Sequence, residues 1–268
     1  MNNDLQKNAD RFTGFSDIYD GARPRVPEYP AEIIIKYLKR RPETVVDLGC
    51  GTGLSSLVWT KFCKNAIGIE PSEDMLEKAR SRKTEGLRFI KAFAHDTGLN
   101  DEITDAVVCS QSFHWMEPNT PLREVDRILK PGGIFAAIDC DWPPVVDAEA
   151  EMEYDKLYSK AKRLEKELGD VKNSFIRYDK NKHLENIKNS GYFMYAREIV
   201  FSNAEPCDAE RFINILLSQG SVQEIVKKHP DLICEDLDAF KAKIHSIFGS
   251  AKFDVYFCYR MRIGVKKQ

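Results

Sequence analysis

The chain has 268 residues, with 40 Lys and Arg against 42 Asp and Glu and a hydrophobic fraction of 43%. Charges of both signs are interspersed without a basic face or tail, so no nucleic-acid partner is expected; no apolar run nears the roughly 18 residues that cross a bilayer, so no membrane partner is expected either. Seven scattered cysteines without a C-x-x-C pair argue against disulfides and against a metal site, and a start without a basic, apolar leader predicts a cytoplasmic protein.

Residues 1–30 read as a polar arm carrying Phe12, Phe15 and Tyr19 and ending in Arg23-Pro24-Arg25-Val26-Pro27, where the prolines break any helix. Residues 31–268 read as one domain. The basic run Lys36 to Arg41 is placed on a helix with a solvated face. Val45-Val46-Asp47-Leu48-Gly49-Cys50-Gly51-Thr52-Gly53 is an apolar strand ending in an acid and a glycine turn, with a helical pattern after it. Such a turn brings a ligand against bare backbone at a helix N-terminus, and glycine permits the approach because it lacks a Cβ. The next strand, Ala66-Ile67-Gly68-Ile69, ends in Glu70, an acid placed to accept both hydroxyls of a ribose. Together these features predict an adenosine-containing cofactor on a doubly wound sheet.

The glycine spacing narrows the choice. A dinucleotide fingerprint needs G-x-G-x-x-G, whereas Leu54 stands at its third glycine position and Gly53 comes one residue early. Asp47 would repel a pyrophosphate but could hold an ammonium group. A nicotinamide-dependent oxidoreductase is therefore improbable. The D-x-G-x-G-x-G arrangement resembles the first motif of the class I S-adenosylmethionine-dependent methyltransferases. By that resemblance Gly49, Cys50, Gly51, Thr52 and Gly53 pack against the methionine part of the cofactor S-adenosyl-L-methionine, and Glu70 holds its ribose. Gly68 to Leu76 is similar to the second-strand signature of the family, with Pro71 in the turn and Met75 covering the adenine edge. Phe89 to His95 resembles the third strand and its adenine-binding turn, with Ala94 and His95 as contacts. Asp105 to Trp115 resembles the fourth strand and its loop. Leu129-Lys130-Pro131-Gly132-Gly133 and the residues to Ala136 resemble the turn and fifth strand that follow. The Gln111-x-x-His114-Trp115 loop and the opening Phe12 to Pro24 are similar to the small-molecule, trans-aconitate methyltransferase-like members.

Further along, Tyr154, Leu157, Tyr158, Ala161, Leu164 and Leu168 recur at helical spacing, with Gly169 as a stop. The basic run Lys160 to Lys166 falls on this helix and reads as solvated. Leu184 to Ser190 reads as a short helix and Tyr195 to Phe201 as the sixth strand. Ser221-Val222-Gln223-Glu224 has the form of a capping box opening a helix that ends near Pro230. Leu237, Phe240, Ile244 and Ile247 make another apolar helix face, and Phe253 to Val265 is the last strand. The resemblance makes that strand antiparallel. The expected fold is thus α/β, a doubly wound, seven-stranded, mostly parallel sheet, Rossmann-like, with an inserted helical cap from 141–190 and 206–250. The resemblance makes residues 1–30 a lid, with Tyr19 and Arg23 facing the site and Arg23 available to the methionine carboxylate.

The resemblance implies methyl transfer to a small-molecule acceptor, with oxygen preferred, such as a carboxylate or phenol. His114 stands at a strand end beside the expected methyl position, where an imidazole with a pKa of about 6.5 suits a general base. It also reads as structural, its ring bonded to backbone with Trp115 packed beneath a helix. Gln111 is a candidate to line the pocket, orienting a carboxylate or carbonyl, and Tyr19 completes the catalytic candidates. His183, His229 and His245 are read as solvated. The alternative function is a regulatory protein that binds S-adenosylmethionine without turnover. The oligomeric state and the identity of the acceptor stay open.

Overall fold

A computed structural model describes residues 23–172 and 176–268; Phe12, Phe15, Tyr19 and the rest of the arm before Arg23 lie outside the described residues. Seven strands form one sheet in the order β3-β2-β1-β4-β5-β7-β6. They are β1 (Thr44–Leu48), β2 (Asn65–Glu70), β3 (Leu87–Lys91), β4 (Thr104–Ser110), β5 (Leu129–Cys140), β6 (Phe193–Cys207) and β7 (Phe253–Lys266). The first five run parallel, and β7 lies antiparallel between β5 and β6. This is the Rossmann-like, seven-stranded α/β architecture that the sequence predicts.

The apolar runs Val45-Val46, Ala106 to Cys109 and Ile134 to Ala137 are buried on both faces, as expected where helices cover both sides of a parallel sheet. Successive side chains point to opposite faces, and the core divides accordingly. Val45, Ala106, Val108, Ile134, Ala136 and Ile138 pack with Ile34 of α1 (Tyr29–Leu38) and Trp59 of α2 (Leu54–Trp59). Val46, Ile67, Val107, Phe135 and Ala137 pack with Leu122, Val125 and Ile128 of α4 (Asn119–Ile128) and with Ile187 of α7 (His183–Asn189). The short helix α3 (Glu73–Ser81) lies against β2 and β3. One buried acid anchors the start of the sheet. Asp105 accepts from the backbone N–H groups of Glu43 and Thr44 and pairs with Arg40 and Lys130. Burial pushes its carboxyl up, but these partners outweigh that and hold it at about 2.

Helices α5 (Ala148–Glu167), α8 (Ala209–Leu217), α9 (Gly220–Lys228) and α10 (Cys234–Phe248) pack on one another. Asp147 caps α5 by accepting from the N–H of Glu149 and Ala150, and Asp208 caps α8 through the N–H of Arg211. Phe212 is fully buried, with the rings of Tyr154, Phe240 and Phe248 at 5.8, 6.5 and 6.0 Å. Its removal from water stabilises this helical layer by about 1.5–3 kcal/mol. A four-residue turn of helix, α6 (Gly169–Lys172), follows α5.

Several local expectations are corrected. α1 ends at Leu38 with Lys39 left-handed, so Arg40 and Arg41 leave the helix, the first to pair with Asp105 and the second to bond the Phe62 and Lys61 carbonyls. β6 runs well past Phe201 because every residue from Tyr195 to Cys207 finds a partner on β7. The Lys130-Pro131-Gly132-Gly133 quartet lies within β5 beside a register shift, rather than in a turn before it. The helix α5 ends at Glu167, just before Gly169 as expected, and Gly169 then opens the short α6. Ser221 does not cap the helix: α9 begins at Gly220 after Gln219, and the buried Ser221 hydroxyl has no hydrogen bond among the described residues. His183 is 1% exposed rather than solvated, because α7 carries it under the sheet edge against Phe113. Among the described residues no helix is long and apolar enough to cross a membrane.

Candidate active site

The strand order reverses between β1 and β4, and an open α/β sheet binds ligands at the strand C-termini beside such a switch. The turn after β1 and the turn after β4 form the two walls of a cleft there. It is lined by Gly49 to Thr52, Glu70, Pro71, Met75, Phe93, Ala94, His95, Gln111, Trp115 and Arg23. Of the residues that sequence assigned to the cofactor, Asp47 and Gly53 do not line it.

The glycine turn works by shape more than by free donors. Gly49 has φ +69°, and a Cβ on it would lie 2.6 Å from the Cβ of Ser112. Gly51 has φ +54° with open space where a Cβ would go. The N–H groups of Gly49 and Cys50 both donate to the Ile69 carbonyl, at 2.8 and 3.1 Å, and that of Gly53 donates to the Cys50 carbonyl. The Gly51 N–H donates to Glu70 Oε2 at 3.0 Å. A phosphate would find these donors spent and a carboxylate in its way. Glu70 is 8% exposed, and its other oxygen accepts from the Ser72 N–H at 3.0 Å. Burial pushes its carboxyl up, against the pull of those two N–H groups.

Asp47 sits below the turn. It is 1% exposed and accepts from the Ser56 hydroxyl at 2.8 Å, while its second oxygen has no hydrogen bond among the described residues. Burial pushes its carboxyl up to about 6. It supports the loop and α2 and does not line the cleft.

A second cavity of about 650 Å³ opens beside the first. Its floor is the end of β5, with Asp139 to Trp142, together with His114. Its walls come from Tyr158, Lys162 and Lys166 of α5, from Arg177 to Asn181, and from Ser218 to Glu224. Lys162 and Lys166, read from sequence as a solvated face, stand on its rim. Arg23, Gln111 and Trp115 line both cavities. Arg23 is held there by a bond to the Ser218 carbonyl at 3.0 Å and lies over the Trp142 ring at 5.7 Å. Gln111 is left-handed, with φ 57°, and its N–H is pinned to the Ile138 carbonyl at 2.8 Å. A non-glycine residue in that conformation marks a backbone held against its preference.

His114 lies in the second cavity, not in the first. Its Nδ1 is 3.2 Å from Asp139 Oδ1, and the ring leans on Trp115 with centroids 4.8 Å apart. Burial, reinforced by the Lys180 ammonium, pushes the imidazole down to about 3 against the pull of Asp139. His114 is therefore neutral across the physiological range. Asp139 is 2% exposed and takes contacts from Lys180 at 3.1 Å and Arg262 at 3.2 Å. Burial pushes its carboxyl up, but Lys180 and the two nearby imidazoles hold it well below the usual range.

Sequence reasoning missed Asp139, Lys180, Arg177 and Arg262, and it missed Phe93 as a wall of the cleft. The cue for Phe93 was available, since it falls where the resemblance expects the adenine turn. Asp139 had no local cue beyond standing near a strand end.

Residues 46–137 match the model of a family described as a methyltransferase domain. A probable S-adenosylmethionine-dependent methyltransferase of Saccharomyces cerevisiae is 33% identical over 124 residues, 44% of this chain and 43% of that one. The demethylmenaquinone methyltransferase of Clavibacter sepedonicus is 35% identical over 106 residues, 38% of this chain and 43% of the other. This chain thus spans less than half the length of these relatives. Among solved structures, a protein of Anaeromyxobacter dehalogenans provisionally named a type II methyltransferase superposes with a TM-score of 0.69 at 20% identity, covering 91% of this chain and 97% of that one. The phosphoethanolamine N-methyltransferase 2 of Haemonchus contortus, solved with S-adenosylhomocysteine, gives 0.57 at 14% identity, covering 98% and 60%. At these identities the structures share the fold. The family match ends before Asp139, so it covers most of the first cavity and little of the second.

Proposed function

We propose that the chain is an S-adenosylmethionine-dependent methyltransferase acting on a small-molecule acceptor, of the trans-aconitate methyltransferase-like type, with an oxygen nucleophile such as a carboxylate or phenol. The observation that carries this reading is the pair of cavities sharing Arg23, Gln111 and Trp115. One has a carboxylate and a glycine turn suited to an adenosine, and the other is large enough for a small molecule. The spent N–H groups of the turn disfavour a pyrophosphate and suit a ligand that brings a positive centre. The family match at residues 46–137 supports the same assignment.

When bound, the cofactor would supply an electrophilic methyl group on its sulfonium, and S-adenosylhomocysteine would be released. The protein's work is placement and exclusion of water. Glu70 takes the ribose hydroxyls, Met75 and Ala94 border the adenine, and Arg23 pairs with the methionine carboxylate. Gln111, fixed at the junction, turns its amide toward the acceptor. His114, kept neutral by burial, hydrogen-bonds the acceptor and does not store its proton. A carboxylate acceptor needs no proton removal, and a phenol can lose its proton to solvent on binding. The helices of 141–190 and 206–250 act as a cap over the acceptor, and residues 1–30 act as a lid. No nucleic-acid or membrane contact is part of this reading.

The test is transfer of label from S-adenosylmethionine to a panel of small carboxylic acids and phenols, run beside S-adenosylhomocysteine calorimetry. Turnover of a small acid or phenol supports the proposal. Binding of S-adenosylhomocysteine with label passing only to protein or RNA would overturn the small-molecule assignment.

A further inference from the structure

The end of β5 gathers three metal-ligating side chains, of which the methyl-transfer reading uses only His114. His114 follows β4, Asp139 belongs to β5, and His183 is the first residue of α7. One ligand atom from each lies within 4.8 Å of the others. His114 Nδ1 is 3.2 Å from Asp139 Oδ1, and His183 Nε2 is 3.5 Å from Asp139 Oδ2. A tetrahedral ion with bonds of about 2.0–2.1 Å holds its ligands about 3.3 Å apart. Each imidazole is therefore already near that spacing from Asp139, one at each carboxylate oxygen.

These three groups also lack the partners that buried polar groups ordinarily have. Their side chains are 7%, 3% and 1% exposed. His114 Nδ1, Asp139 Oδ1 and both ring nitrogens of His183 meet no hydrogen-bond geometry among the described residues; apart from Lys180, the contacts of His114 Nδ1, Asp139 Oδ1 and His183 Nε2 are with one another. A buried polar group without a well-formed hydrogen bond costs about 1–3 kcal/mol, and one ligand atom from each of three such side chains converges here. We propose that His114, Asp139 and His183 form a binding site for a divalent first-row transition ion of the zinc class, opening onto the second cavity. Two imidazoles and a carboxylate suit such an ion better than magnesium or calcium, which prefer oxygen alone.

The surroundings fit a coordination shell and also set up a competition. Arg262 holds Asp139 Oδ2 at 3.2 Å while its Nε donates to Glu198 at 2.8 Å. It thereby fixes the carboxylate, as outer partners of metal ligands do. The His183 ring is braced edge-on by Phe113 at 4.8 Å. Lys180 Nζ contacts Asp139 Oδ1 at 3.1 Å and takes the place of a cation. Its side chain is 30% exposed and sits on a single turn, Lys180–Lys182, so it can withdraw into the cavity. The ion and the Lys180 ammonium are alternative occupants of one place. His114 and Asp139 line the second cavity, which provides an entry path and leaves a coordination position open to water or to an acceptor atom. The site is independent of whether the chain transfers a methyl group.

The test uses the full chain stripped with a chelator and titrated with cobalt(II), read by its visible d–d absorption, and with zinc in competition against a chromogenic chelator. One equivalent is expected to bind, giving a cobalt spectrum without a thiolate charge-transfer band. His183→Ala should weaken binding about 100-fold, since even outer-shell changes cost 10–100-fold. Lys180→Met should tighten it about tenfold by removing the competing ammonium, a gain that a loss of folding cannot imitate. Cys234→Ser, at an exposed thiol, should change nothing. The proposal is overturned if no ion binds below millimolar concentration, if binding survives His183→Ala, or if Lys180→Met leaves the affinity unchanged.

Discussion

Glu70→Gln isolates the role of the acid at the end of β2. Its two oxygens accept from the Gly51 and Ser72 N–H groups, each at 3.0 Å. The amide keeps the shape but offers one oxygen and a donor where two acceptors stood. One backbone N–H then faces an N–H, and a hydrogen bond to a charged group, worth about 1.5–3 kcal/mol, is lost. The same change removes the charge offered to a ribose, a similar loss that corresponds to a 10- to 100-fold weaker S-adenosylhomocysteine. At a ligand concentration about 100 times the wild-type Kd, the native protein gains about 2.7 kcal/mol from binding. With affinity reduced about 30-fold, the variant at that concentration gains only about 0.9 kcal/mol. Thermal melts with and without ligand read both effects: a lower Tm for the apo variant, and a ligand-induced rise that shrinks to about a third. Calorimetry gives the Kd directly. A variant that binds within twofold of wild type would refute the assignment of Glu70 to the ribose and, with it, the orientation proposed for the cofactor.

Four further outcomes are expected. Asp47 has its folded pKa raised to about 6, so the native state holds the extra proton between pH 4 and 6. Its contribution is full below about 4 and falls by about 3 kcal/mol as pH rises through that window, and Asp47→Asn should flatten this part of a urea-midpoint profile. Asp105 is shifted the other way, to about 2, so its contribution of about 2 kcal/mol is present above pH 4 and is lost as pH falls to 2; Asp105→Asn should cost about 3 kcal/mol at neutral pH by uncoupling Arg40 and Lys130. Gly49→Ala, at φ +69° and 2.6 Å from Ser112, should cost about 1–3 kcal/mol in denaturant melts and weaken cofactor binding. Gln111→Gly relieves a left-handed residue and should gain up to about 1 kcal/mol of stability while turnover falls at least tenfold, a split that a purely structural Gln111 would not show.

The cofactor side was legible because its signals are local. Gly49 to Gly53, Glu70 and Met75 lie on consecutive elements, and each is tied to a turn or strand end whose residue types have few other uses. Asp47 was legible as important but not as buried, since a strand-end acid looks the same whether it faces a cleft or a supporting hydroxyl. The second cavity was opaque for a different reason. Asp139, Lys180, His183 and Arg262 come from β5, a connecting turn, α7 and β7, and only the sheet order makes them neighbours. His183 looked solvated because it opens a short polar helix, and nothing local reveals that this end lies beneath Phe113. β6 was read short because its later half, Ser202 to Cys207, is polar; its true length comes from pairing along the whole of β7.

The insertion of β7 between β5 and β6 also orders events during synthesis. Every residue that lines the first cavity has been translated by Pro121. The floor of the second needs Arg262, carried by the last strand to join the sheet. Domains fold from the N-terminal side as the chain emerges, and contacts of long sequence separation form slowly. A ribosome-bound chain ending between these points holds all the lining of the first cavity and lacks part of the floor of the second. The second cavity is therefore closed only when β7 takes its place between β5 and β6.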